Sequence, residues 1–156
     1  MTSSIYVETS IVSYLTAWPK RDLVRAAHQE VTREWWTKRA AFDLYVSQLV
    51  LDEAAAGDVS AAALRLEALR DLPLLELTVE ARALGRDLLR EAALPSKAAA
   101  DALHIAVATV HGMNCLLTWN CAHIANATMR PRIEAICRSN GFEPPVICTP
   151  LELMEE

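Results

Sequence analysis

Three acidic side chains stand where their neighbours predict burial. Glu8 follows the apolar run at residues 5–7, Glu53 lies within "QLVLDEAAA", and Asp101 lies within the small, apolar stretch "KAAADALHIAVA". An ionised carboxylate is costly to bury unless a cation or hydrogen-bond donors meet it. Three carboxylates that converge repel one another unless a divalent cation neutralises them, and hard oxygen ligands suit Mg²⁺ or Mn²⁺. An ion held this way activates water and stabilises charge at a phosphodiester.

Each acid also has an ordinary structural interpretation. Taken alone, Glu8 is better explained as a solvated acid at the end of a strand. Glu53 is equally compatible with a surface position on a helix, where Asp52 is its equal by composition. Asp101 could pair with His104, which lies one helical turn away. Because the helix around Asp101 is otherwise apolar, the functional and the structural interpretation of this acid are about equally probable.

Alternating short strands and helices are expected to position these acids. Strands are predicted at residues 4–8, 43–47, 73–77, 115–119 and 145–149. Helices are predicted at residues 10–16, 21–41, 48–56, 58–70, 79–93, 97–111 and 129–140, with a capping box in "TPLE" after the last strand. Strands that alternate with helices favour an α/β fold with a mainly parallel sheet. In such folds ligands bind at the carboxyl ends of the strands, where Glu8 and Asn120 are expected.

Composition and charge narrow the class of protein. The chain has 156 residues, 53% of them hydrophobic and 22% charged, which favours one compact domain over residues 1–156. The net charge of −5 argues against coating nucleic acid by bulk electrostatics but does not exclude a nuclease. No apolar run is long enough to span a membrane and no signal peptide is recognisable, so we expect a cytoplasmic protein. The four cysteines form no C-x-x-C pair, which favours reduced thiols over a zinc site.

Four segments together resemble the PIN-domain family. They are "IYVETSIVSYL", "YVSQLVLDEAAAGD", "KAAADALHIAVATVHGMNCLLTWNCAHIAN" and "PVICTPLELM", and the resemblance extends over nearly the whole chain. The sequence is most similar to the small prokaryotic branch of VapC-like toxins from toxin–antitoxin pairs. The resemblance implies a three-layer α/β/α sandwich around a mainly parallel sheet. It also implies Mg²⁺- or Mn²⁺-dependent cleavage of RNA by a metal-activated water.

The resemblance assigns site positions residue by residue. The first family acid falls on Glu8, where Asp is usual, and the hydroxyl that commonly follows falls on Ser10. The second and third acids fall on Glu53 and Asp101, and a fourth position that is commonly acidic falls on Asn120. These four positions are the predicted catalytic set, and Glu8 and Asp101 are the predicted metal ligands.

Substrate contacts are expected beside the acids. Ser10, Lys97 and His123 are the predicted substrate-binding residues. Lys97 and His123 also have ordinary interpretations, as a solvated lysine and a structural histidine. Asn120 is likewise of a type more common in turns than among ligands.

Three functions remain open on the sequence alone. The first is a toxin-like endoribonuclease, inhibited by a small antitoxin that inserts a helix into an apolar groove. The second is a catalytically degenerate PIN fold that binds RNA or protein, supported by the departures at Glu8 and Asn120. The third is a metal-dependent hydrolase of small phosphoesters. The helix that carries Trp35 and Trp36 suggests a homodimer, because Trp is enriched at interfaces.

Overall fold

A parallel sheet forms the centre of the molecule. The computed structural model describes residues 2–92 and 94–154. Its strands are β1 (Ser4–Val7), β2 (Asp43–Ser47), β3 (Leu74–Leu75), β4 (Cys115–Leu117) and β5 (Val146–Cys148). They lie in the order β3-β2-β1-β4-β5, and every neighbouring pair is parallel. The predicted α/β fold is confirmed.

The described residues form seven α-helices in two packed groups. Their bounds are α1 (Thr9–Thr16), α2 (Leu23–Thr37), α3 (Gln48–Ala54), α4 (Val59–Leu69), α5 (Val79–Glu91), α6 (Ala99–Val110) and α7 (Arg130–Ser139). Helix α1 contacts α2, α3 and α4, and α5 packs against both α6 and α7. Short 3-10 helices add residues 39–41, 96–98 and 150–153. The result is the three-layer α/β/α arrangement.

The central position of β1 in the sheet explains why its residues are buried on both faces. Ile5, Tyr6 and Val7 of β1 are fully buried, because a middle strand of a parallel sheet is covered by helices on either side. Gly85 lies where α5 packs closely against α6, since a Cβ at this position would lie 2.9 Å from Cδ2 of Leu103. This close approach lets α5 lie directly against α6.

Several element boundaries differ from the sequence prediction. Strand β1 ends one residue early, because Glu8 caps α1 instead of continuing the strand. The third strand shrinks to two residues, and the helix predicted at 21–41 ends at Thr37 before a 3-10 turn. The helix predicted at 97–111 begins at Ala99, after a 3-10 turn. The predicted end of the fifth helix at residue 93 lies outside the described residues.

The sheet order determines where the site lies. The chain passes from β1 to β2 on one side, and β4 pairs with β1 on the other, so the connections diverge between β1 and β4. Ligands bind α/β sheets outside the carboxyl ends of the strands at such a point. Glu8 is located there, with its backbone N–H bonded to the carbonyl of Leu117 at 3.0 Å.

Trp35 belongs to the core and not to the surface. Its side chain is fully buried and its ring stacks on Phe42 with 5.8 Å between centroids. Trp36 is partly buried against the same core, and the guanidinium of Arg39 lies 4.7 Å from its ring centroid. A fully buried Trp35 ring has no surface to offer a partner, and the homodimer stays a prediction.

Candidate metal centre

Glu8 is a buried carboxylate held by hydroxyl groups. Its residue is only 6% exposed. Oε1 accepts hydrogen bonds from the Ser10 hydroxyl at 2.5 Å and from the Thr118 hydroxyl at 2.6 Å. Oε2 accepts a longer one from the backbone N–H of Ser10, at 3.2 Å. The carboxylate therefore has donors that offset its desolvation, and it is not the solvated strand-end acid of the ordinary interpretation.

Glu53 approaches the same point from α3. Its Oε1 accepts hydrogen bonds from the Thr9 hydroxyl at 2.5 Å and from Nε2 of His104 at 2.7 Å. Burial by itself would raise the pKa of Glu53, but the hydrogen bonds and charge of His104 and Thr9 together hold it below its usual value. Asp52 is exposed and accepts a hydrogen bond from Gln48, so Glu53 is the acid of this pair that faces the site.

A buried hydrogen-bonded chain supports Glu53 from below. His104 is fully buried, and its Nδ1 lies 2.7 Å from the Tyr6 hydroxyl, which lies 2.8 Å from Oγ of Ser47. Burial raises the pKa of the Tyr6 hydroxyl, which therefore stays protonated. An ionised carboxylate only accepts hydrogen bonds, so Nε2 of His104 must carry a hydrogen when it bonds Glu53. A nitrogen that carries a hydrogen is not a metal ligand.

The donor set fits a divalent cation through its two carboxylates. Glu8, Glu53 and His104 each offer one atom within 4.8 Å of the others. His104 acts as a hydrogen-bond donor in this arrangement, which leaves the two carboxylates to hold an ion. Oε2 of Glu53 accepts no hydrogen bond from any residue that the structure describes and is the free oxygen of the pair. Carboxylate oxygens suit Mg²⁺ and Mn²⁺.

Asp101 lies one helical turn from His104 on α6 and is not part of this group. Its Oδ2 is 2.9 Å from Nδ1 of His123, and both side chains are about one-fifth exposed, at 20% and 23%. The predicted alternative partner, His104, is instead occupied by Glu53 and Tyr6. Asp101 lies in the first turn of α6, which begins at Ala99.

The remaining predicted site residues occupy the loop and helix ends around the acids. Asn120 accepts a hydrogen bond from the backbone N–H of His123 at 3.1 Å. Such a bond is typical of an asparagine that stabilises a turn. Its own N–H donates to the Thr118 hydroxyl at 2.9 Å. Ser10 contacts Glu8 directly, and Lys97 is exposed in the 3-10 turn before α6. Their catalytic and substrate-binding roles stay predictions.

The sequence prediction missed the residues that hold the acids. Thr9 and Thr118 each donate to a carboxylate, and Tyr6, Ser47 and His104 form the buried chain. Thr9 and Ser47 adjoin predicted strand ends, which was the available signal. Tyr6 gave none, because a tyrosine in a central strand looks like core until its hydroxyl partner is known.

The fold and this site agree with a comparison to known families. The PIN domain family matches residues 5–120, which is most of the chain. The chain belongs to the PIN-domain family. The comparison with curated proteins gives no match.

Family membership indicates the class of activity. PIN domains are generally nucleases that use divalent metal ions and bind RNA, and the carboxylates of Glu8 and Glu53, with His104 beside them, form a possible metal site. Across the described residues, no helix combines the length and the apolar character that crossing a membrane requires.

Proposed function

We propose that this protein is a toxin-like endoribonuclease of the VapC-like branch that needs Mg²⁺ or Mn²⁺. The observation that carries the proposal is the approach of Glu8 and Glu53 at the carboxyl edge of the sheet, where both are held by hydroxyl donors. A bound divalent cation would lower the pKa of water and neutralise charge that develops at the phosphodiester.

The chain's own residues have distinct tasks in this proposal. Ser10 and Thr118 orient Glu8, while Thr9 and His104 hold one oxygen of Glu53 and leave the other free. Fixing both carboxylates before binding reduces the entropy lost when an ion is captured. Asp101 supplies a third acid nearby, and one of its oxygens is bonded to His123.

Two departures from the usual family pattern bear on this activity. Glu8 replaces the usual Asp, and the extra methylene is accommodated because its carboxylate bends back to the Ser10 hydroxyl and backbone. Asn120 replaces an acid, and its oxygen bonds the backbone of His123. The proposed site therefore holds its ion through Glu8 and Glu53, with Asp101 as the third carboxylate of the predicted catalytic set.

A second candidate function has a specific observation in its favour. All three acids have protein donors without any cation: hydroxyls for Glu8, Thr9 and His104 for Glu53, and His123 for Asp101. A site stabilised this way could persist in a degenerate PIN fold that binds RNA without cutting it. The two candidates differ in whether metal binds.

Thermal melting with Mn²⁺ separates the two candidates. A ligand that binds only the folded state at 100 times its Kd stabilises it by about 2.7 kcal/mol. We expect Mn²⁺ to raise Tm, chelator to reverse the rise, and Glu53→Gln to abolish it together with RNA cleavage. Asp52→Asn is the matched control, because it removes an adjacent exposed acid. No shift at millimolar Mn²⁺ would leave the degenerate RNA-binding fold as the function.

A groove that combines exposed apolar side chains with charged ones supports the proposed antitoxin partner. A cavity of about 520 Å³ is lined in part by Ala17, Trp18 and Leu64. Trp18 is 89% exposed and Leu64 is 58% exposed, which is unusual for large apolar side chains unless a partner covers them. A small open reading frame with a DNA-binding N-terminus beside this gene would support the toxin assignment.

Cytoplasmic location and a homodimer complete the proposal. Trp36 remains a candidate interface residue, whereas Trp35 does not. Light scattering at high protein concentration tests the dimer, and a monomer there would remove it.

A further inference from the structure

An open cavity lies one helical turn from the carboxylate site. It has a volume of about 200 Å³ and is lined by Ser13, Tyr14, Lys20 and Arg25. Helix α1 connects the two places, because Ser10 contacts Glu8 and Tyr14 follows four residues later on the same face. Four residues of α-helix span about 6 Å, so the cavity adjoins the carboxylates.

Tyr14 is the aromatic residue in the lining of this cavity, and it forms an aromatic wall together with the rings of His28 and Trp119 that pack against it. Tyr14 meets the rings of His28 and Trp119 edge-on, with centroids 5.8 and 6.2 Å away. His28 and Trp119 stack at 4.0 Å with 11° between their planes. Trp119 is fixed at both ends, since its Nε1 donates to Thr32 at 2.7 Å and its backbone N–H donates to Ser10 at 2.8 Å. Ser10 thus links this aromatic wall to Glu8.

The outer wall carries two unpaired cations. Lys20 and Arg25 are exposed, and neither forms an ion pair with any residue that the structure describes. The neighbouring Asp22 uses its carboxylate to cap α2, accepting from the backbone N–H of Arg25 at 2.9 Å. Two free cations beside an aromatic ring are notable in a chain with a net charge of −5.

We infer that this cavity is a nucleotide-binding subsite for single-stranded RNA. A base packs on the Tyr14 ring, and Lys20 and Arg25 hold the adjoining phosphates. Aromatic faces beside positive charge are the elements by which proteins bind single strands without reading their sequence. The subsite deepens the proposed function, because it would hold the nucleotide next to the one at the carboxylates.

Binding is measured by fluorescence anisotropy with a 5′-fluorescein octauridylate in EDTA, where no cleavage occurs. The double variant Lys20→Ala/Arg25→Ala should weaken binding by at least ~10-fold and reduce the slope of log K against log salt by about 1.4. The matched control is Arg82→Ala/Arg86→Ala. It removes two cations beside another cavity of about 200 Å³ that has no aromatic lining. Equal losses for both double variants would mean bulk electrostatics and would overturn the subsite.

A second variant tests the aromatic wall. Tyr14→Leu should weaken binding of octauridylate at least ~5-fold, but leave binding of an abasic strand of equal length unchanged. Equal binding of the two strands by the parent protein would overturn the stacking role. An oligoglutamate that binds as tightly as RNA through Lys20 and Arg25 would overturn the RNA assignment in favour of an acidic protein partner.

The test distinguishes this subsite from the proposed activity. RNA binding that depends on Lys20 and Arg25, in a protein that never cleaves RNA, would refute the nuclease and keep the subsite. Cleavage with an unchanged KM in the Lys20→Ala/Arg25→Ala variant would refute the subsite and keep the nuclease.

Discussion

The hydrogen bond between His104 and Glu53 is a direct test of how the site is built. His104→Leu replaces the imidazole by an apolar side chain that still fills the core, so a large cavity is avoided. It removes the donor to Oε1 of Glu53, leaves Thr9 as the remaining donor to that oxygen, and leaves the Tyr6 hydroxyl with Ser47. Both polar groups therefore keep one partner.

The expected loss of stability follows from these contacts. A hydrogen bond to a charged group contributes roughly 1.5–3 kcal/mol. The Glu53 side chain is 34% exposed, so water replaces part of what is lost and the value falls towards the lower end of that range. We expect a loss of about 2 kcal/mol, which for a chain of this size lowers Tm by roughly 4–8 °C.

The pH dependence has a definite sign. Hydrogen bonds and charge from His104 and Thr9 outweigh the effect of burial and hold the pKa of folded Glu53 below its usual 4.5. Glu53 therefore contributes stability that is present above pH ~4.5 and is lost as pH falls through the folded value. The stability difference between the parent and Glu53→Gln should shrink below that pH.

Urea unfolding in a double-mutant cycle isolates the pair. The cycle combines His104→Leu with Glu53→Leu, and His111→Leu is the control, because His111 bonds the backbone carbonyl of Glu76 and no carboxylate. We expect a coupling energy of about 1–2 kcal/mol at pH 7. A coupling below roughly 0.3 kcal/mol at pH 7, or one that stays constant as the pH falls through the folded pKa of Glu53, would refute this account of Glu53.

Three further substitutions test other parts of the structure. Asp101→Asn should lower the free energy of unfolding by about 1 kcal/mol without metal, because the hydrogen bond to His123 weakens, and it should abolish RNA cleavage. Thermal melting and a cleavage assay measure these two effects, and a fully active variant would remove Asp101 from the catalytic set. Thr118→Val should lower the free energy of unfolding by roughly 1–3 kcal/mol and weaken Mn²⁺ binding, because Oε1 of Glu8 loses a buried hydrogen-bond donor. Calorimetry measures the Mn²⁺ affinity, and an unchanged affinity would mean that Thr118 does not orient Glu8. Gly85→Val should lower the free energy of unfolding measured in urea by about 1–3 kcal/mol, because the valine side chain would clash with Leu103. An equally stable variant would show that α5 and α6 can separate freely.

Local patterns in the sequence were sufficient for the architecture. The β-branched run before Glu8, the strand "DLYVS" and the long apolar helix around Asp101 each have a distinct period and clear ends, and each occurs as an element. The capping box predicted in "TPLE" is present at Thr149 and Glu152. These features depend on neighbours within a few residues, so one sequence contains the information they need.

The same local information also placed the acids near one sheet edge. The positions of Glu8 and Glu53 follow from strand ends in a parallel sheet, which is a consequence of chain direction and not of side-chain detail. Sequence composition could not choose between Asp52 and Glu53, because both lie in the same helix. The choice came from Thr9 and His104, which meet only one of them.

Only the tertiary structure decided which polar groups are partners. His104 lies three residues from Asp101, and helical spacing made them a natural pair, yet His104 bonds Glu53 and Tyr6 while Asp101 bonds His123. These contacts join residues 51, 98 and 22 positions apart in the chain. A hydrogen bond forms only when the distance between donor and acceptor is correct to within a few tenths of an ångström. Between remote segments that distance is determined by how the helices pack on the sheet.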